Sequence, residues 1–110
     1  MSKPIGKKEF ANEVAGNLTL SLVYFKTEWN GACQIISPIY AELAKSYTGQ
    51  ASFFVVDVEQ VSGIEHDYGV MEIPTILFFR GGEIIDHLAG LAPKNVMIAK
   101  IENALSTNIN

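Results

Sequence analysis

The spacing of apolar positions changes several times along this chain, and each change marks an element. Leu18 to Phe25 is nearly continuous in apolar and β-favouring residues. That pattern predicts a strand buried on both faces, the kind found inside parallel sheets. From Gly31 the period lengthens. Ile36, Ile39, Leu43 and Tyr47 recur at spacings of three and four, which predicts an amphipathic helix. Asn30 is a good N-cap for it, and Gly49 ends it. Pro38 falls inside, where a missing N–H predicts a kink. Ala51 to Val56 and Ile76 to Phe79 predict two more buried strands.

The remaining elements are shorter. Lys7 to Ala15 predicts a helix with Phe10 and Val14 on one face, stopped by Gly16-Asn17. Ser62 to Tyr68 predicts another, with Ile64 and Tyr68 four apart and Gly69 as its C-terminal cap. Gly81-Gly82 is a hairpin turn into an antiparallel strand, Glu83 to Leu88, which Gly90 breaks. Pro93 opens a last helix whose stripe is Met97, Ile98, Ile101, Ala104 and Leu105. The tail, Ser106 to Asn110, reads as frayed. The β-helix-β part requires a parallel pair with a right-handed crossover. Strands apolar on both sides require helices on both faces. The expected class is therefore α/β, a central mixed sheet flanked on both faces by helices.

Composition narrows the function classes. The 110 residues suit one domain. With 48% hydrophobic and 18% charged residues, the chain can build a core, and global disorder is excluded. No apolar run reaches the roughly 20 residues of a membrane helix. Met1-Ser2-Lys3-Pro4 lacks a signal-type apolar segment, so the expected location is the cytoplasm. A net charge of −4 with no basic run argues against nucleic acid. One cysteine excludes an internal disulfide. That cysteine with two isolated histidines, His66 and His87, makes no structural zinc site. Both histidines read as surface residues, as do the charges of Lys26 and Glu28. Asp57 reads as a turn residue. No cofactor site is evident, and the oligomeric state is not encoded in any pattern.

One stretch carries candidate chemistry: Trp29-Asn30-Gly31-Ala32-Cys33. It lies where a strand delivers a helix N-terminus, and the free N–H groups there favour negative charge. A thiol at such a position has its thiolate stabilised. Burial would favour the neutral thiol instead. Cys33 thus reads either as a small apolar core residue or as a thiol with a redox or partner-trapping role.

With these elements in order, the chain resembles the thioredoxin family over nearly its full length. The family's Trp-Cys-Gly-Pro-Cys run is here Trp29-Asn30-Gly31-Ala32-Cys33. Its helix proline, five residues past the second cysteine, matches Pro38. Its cis-proline, in an Ile/Val-Pro-Thr run, matches Ile73-Pro74-Thr75. Its two late glycines match Gly82 and Gly90. The resemblance implies a thioredoxin fold and a cis bond at Pro74. It also implies a peptide-binding surface around Trp29, Gly31, Ala32, Ile73, Pro74 and Gly90. Ile73 would pair its backbone with an extended partner, and an exposed Trp29 would serve as an anchor.

The departures bear on activity. Asn30 stands where the family has its attacking thiol, and Ala32 replaces the motif proline. The family's buried acid is Tyr24 here, and its strand lysine is Val55. The resemblance assigns Cys33 to the inner, resolving role. Thiol–disulfide exchange needs a thiolate to form a mixed disulfide first, and an amide is no substitute. The expected function is a protein- or peptide-binding module in thiol redox or folding pathways with little reductase activity. The alternative is a monothiol or thioredoxin-type oxidoreductase forming a mixed disulfide through Cys33.

Overall fold

Each face of the central sheet has its own apolar cluster, and the two clusters account for most of the chain's packing. The computed structural model describes residues 2–106. Its elements are β1 (Ser2–Pro4), α1 (Lys7–Glu9, continuing as a π-helical turn Phe10–Val14), β2 (Leu20–Lys26) and α2 (Gly31–Ser46). Then come β3 (Ala51–Asp57), α3 (Ile64–Asp67), β4 (Thr75–Arg80), β5 (Glu83–Ala89) and α4 (Lys94–Ser106). Among the described residues the strands form a five-stranded sheet in the order β1-β3-β2-β4-β5. β1 and β2 run parallel to β3, whereas β4 is antiparallel to β2 and β5 to β4.

Side chains alternate across β2. Leu20, Leu22 and Tyr24 point to one face, where Ile36, Tyr40 and Leu43 of α2 and Met97 and Ile101 of α4 meet them. Val23 and Phe25 point to the other, against Phe10, Val14 and Ile64. This is the period-two rule of a strand covered on both sides. Phe10 stacks on Tyr68 at 4.2 Å between ring centroids and meets Phe79 edge-on at 5.4 Å. Tyr40 is fully buried, with its hydroxyl 2.8 Å from the Phe54 carbonyl and 3.1 Å from that of Leu22.

The helix stripe, the buried strands and the closing helix are where the sequence places them. Several details differ. Leu18 is not in β2 but 81% exposed. Asn17 Oδ1 accepts from Thr19 N and Thr19 Oγ1, an Asx turn that delays the strand to Leu20. The helix expected from Ser62 starts only at Ile64, because Gly63 has φ +81° at its N-cap; Tyr68 is its C-cap. β1 has no counterpart in the sequence pattern, because three residues including Pro4 carry no alternation. Lys26 is not a free solvated charge; its side chain is largely covered and paired with Glu28. Ser106 closes α4, and the rest of the tail read as frayed lies outside the described residues. The helices also leave β5 partly uncovered, with Ile84 and His87 exposed.

The β4–β5 turn shows why two adjacent glycines sit there. Gly81 and Gly82 have φ of +59° and +80°, the primed-turn geometry of a tight hairpin. A Cβ on Gly82 would also lie 2.9 Å from the Ala15 carbonyl oxygen.

Tyr47, which caps the end of α2, donates to Glu102 of α4 at 2.6 Å. That bond, with burial and the nearby negative charge, pushes its phenol up to about 12. The folded state thus holds this proton more tightly than the unfolded chain, where a tyrosine titrates near ~10. The contribution is whole below pH ~10 and is lost as pH rises toward 12. Urea denaturation at pH 9 and 11 should show a steeper loss for the native chain than for Tyr47→Phe.

Candidate functional site

Two backbone corners meet at the end of the sheet beside the start of α2. The first follows β2: Thr27 to Asn30 turn the chain into the helix. Asn30 has extended backbone (φ −79°, ψ 125°) and caps α2, its Oδ1 accepting from Cys33 N at 3.0 Å. Its carbonyl accepts from Gln34 N at 3.0 Å. Gln34 Nε2 in turn donates to the Glu28 carbonyl at 3.3 Å, bracing the turn that carries Trp29. The second corner precedes β4. Thr75 Oγ1 donates to the Glu72 carbonyl at 2.7 Å, the Ile73–Pro74 peptide bond is cis, and Gly90 N donates to the Pro74 carbonyl at 2.8 Å. Gly90 has φ +80°, a conformation that glycine adopts freely.

The Asn30 side chain joins the two corners. Asn30 Nδ2 donates to the Ile73 carbonyl at 3.2 Å. Both residues stand out in the sequence but nothing there links them, because residues 43 positions apart reveal no pairing in one chain.

The residues picked out from the sequence are distributed unequally around these corners. Trp29 is 83% exposed and Gly31 is exposed; a Cβ on Gly31 would meet nothing within 4 Å. Ala32, Ile73 and Gly90 are half-buried. Pro74 is buried, so it supports the corner from beneath instead of lining a surface. Two apolar side chains missed in the sequence flank the corner, Met71 at 97% exposure and Leu91 at 58%. Their signal was adjacency: one lies two residues before Ile73, the other directly after Gly90. Glu65, His66, Val70, Met71, Glu72 and Ile73 line an open cleft of about 430 Å³ beside it.

Cys33 lies in the first turn of α2 and is 0% exposed. The sequence left two opposing influences on it; the geometry adds that its sulfur has no access to solvent. Tyr24, also buried, donates its hydroxyl to the Cys33 carbonyl at 3.1 Å and lies 2.9 Å from Ser37 Oγ. Burial pushes the Tyr24 phenol well above its ordinary range. A phenol in that state is neutral near pH 7 and accepts no proton from a neighbouring thiol. Asp57 behaves as a turn residue, its Oδ1 accepting from Glu59 N at 2.9 Å. Among the described residues no three His, Cys, Asp or Glu side chains converge as a metal site would require, and no helix is long and apolar enough to cross a membrane.

A family model described as Thioredoxin matches residues 2–103. The chain is 34% identical over 95 residues to a thioredoxin of Chlorobaculum thiosulfatiphilum, covering 86% of this chain and 88% of that protein. It is 36% identical over 85 residues to the chloroplastic M-type thioredoxin of Spinacia oleracea, covering 77% of this chain and 47% of that longer protein. Among solved structures it superposes on the thioredoxin of Malassezia sympodialis (Mala s 13), with a TM-score of 0.87 at 26% identity. That superposition covers 96% of this chain and 92% of the other. The mixed sheet with helices on both faces is the thioredoxin fold.

Proposed function

This chain belongs to the thioredoxin family, and from that premise we propose that it is a docking member of the family, binding an extended segment of a partner protein with little or no disulfide reduction. The observation that carries the reading is the burial of Cys33 behind an amide. Exchange requires a thiolate that reaches the target sulfur. The outer position holds Asn30, and the one thiol in the sequence, Cys33, is 0% exposed. The buried tyrosine beside it stays protonated, so the groups that would manage the thiol's proton are lacking along with the nucleophile.

The docking half of the reading rests on what is still presented. Trp29 is a large exposed aromatic beside a backbone corner, and such residues make effective anchors because they bury much apolar area at little entropic cost. Met71 and Leu91 extend the apolar rim. The alternative, a mixed disulfide through Cys33, would need α2's first turn to open before the sulfur meets a partner.

The test is insulin reduction driven by dithiothreitol. The native chain is expected to leave the rate at the uncatalysed background, indistinguishable from Cys33→Ser. Turnover well above background that Cys33→Ser abolishes would overturn the reading.

A further inference from the structure

We infer that Asn30 acts as an internal stand-in for a docked chain, its side-chain amide holding the Ile73 carbonyl that an extended partner would otherwise engage. The inference rests on the docking reading for its functional meaning, and on geometry for the contact itself.

An extended segment lying against a free backbone corner pairs through two groups, an N–H and a C=O, on the same residue. At Ile73 these groups are unequal. The carbonyl accepts from Asn30 Nδ2 at 3.2 Å. The N–H has no partner among the described residues. A docking backbone therefore finds one half of the pair open and the other half occupied. A docking N–H that approaches along the lone pair held by the amide must displace it; otherwise the partner has Ile73 N–H and only the carbonyl's second lone pair. The displaced amide does not release the helix, because the other end of the same side chain, Oδ1, still caps Cys33 N. One side chain thus satisfies a helix N-terminus and strap-locks the opposing corner. A thiol at position 30 has no amide with which to make such a strap.

Two variants separate the functions of this side chain. Asn30→Ser keeps a good N-cap and has no group at the Nδ2 position. Asn30→Asp keeps the capping oxygen and replaces the donor with an acceptor. Carbon-13 and nitrogen-15 NMR of the full chain reads the contact without any ligand. The Ile73 carbonyl carbon is expected to move upfield in both variants, with faster amide exchange at Thr75 and Gly90. An unchanged Ile73 carbonyl in both variants would overturn the strap.

The second arm adds a probe, an acetylated and amidated octapeptide of alternating valine and threonine with lysine at each end. Its largest shift is expected at Ile73 N–H. Asn30→Ser should bind it roughly three- to tenfold more tightly, the effect of one backbone hydrogen bond gained. Equal affinity for the native chain and Asn30→Ser would show that the amide does not compete, and would also overturn the inference. Binding to neither protein, with the carbonyl shift observed, would sink the docking reading and leave the strap standing.

Discussion

Tyr24→Asp, which places an acid at the position where the family resemblance expects one, should cost the fold about 5 kcal/mol. The tyrosine ring is 1% exposed and packs against Tyr40 at 4.9 Å. Removing it opens a large cavity, and the new carboxylate has no cation to pair with because the corresponding strand position is Val55. Such a loss is a large fraction of the roughly 5–15 kcal/mol that holds a domain of this kind together. Tyr24→Phe keeps the ring and loses the hydroxyl's bonds to the Cys33 carbonyl and to Ser37 Oγ, so it should cost about 1–2 kcal/mol. Urea denaturation distinguishes them. The Asp variant also has a signature in pH. Burial raises its folded pKa above the unfolded value of about 3.9. Its deficit should be smallest at pH 4 and grow as pH rises through the folded pKa. A deficit under 2 kcal/mol that does not depend on pH would show that the cavity admits water and solvates the acid.

The second large effect is expected from Asn30→Cys. This restores a Cys-x-x-Cys spacing at the start of α2, and oxidation should form a Cys33 disulfide detectable by mass. Turnover should still lie ~10²- to 10⁴-fold below that of the Malassezia thioredoxin in the same insulin assay, the range that a missing general acid–base group accounts for. The shortfall comes from Tyr24, whose buried phenol stays protonated, and not from the new sulfur. Rates equal to the Malassezia protein would mean that the surroundings of Cys33 need no dedicated proton acceptor. The substitution also removes the Asn30 cap, which should lower stability by about 1 kcal/mol.

What was legible in the sequence follows the physics of burial. β2 and β3 are apolar on both faces because both faces are covered, and α2 carries a clear stripe for the same reason. Those patterns survive in one chain without comparison. The short elements were less legible. β1 exists because Lys3 and Pro4 lie beside Phe54 and Val55 of β3, a long-range pairing with no local code. The start of α3 depended on one backbone angle at Gly63. Within the site, the motif positions were legible because they are consecutive. The Asn30–Ile73 contact and the hydroxyl bridge from Tyr24 to Ser37 were not, since each joins residues far apart in the chain. The family resemblance assigned Pro74 to a surface, but the closure of the corner around it leaves the residue buried.

Trp29 has a consequence for how this protein is observed. It is the sole tryptophan in the sequence, and its indole is already in water in the native state. Its ultraviolet emission is therefore red-shifted before any denaturant is added and changes little on unfolding. The tyrosine-rich interior is the better optical monitor of folding, and the indole is left free to light up the arrival of a partner.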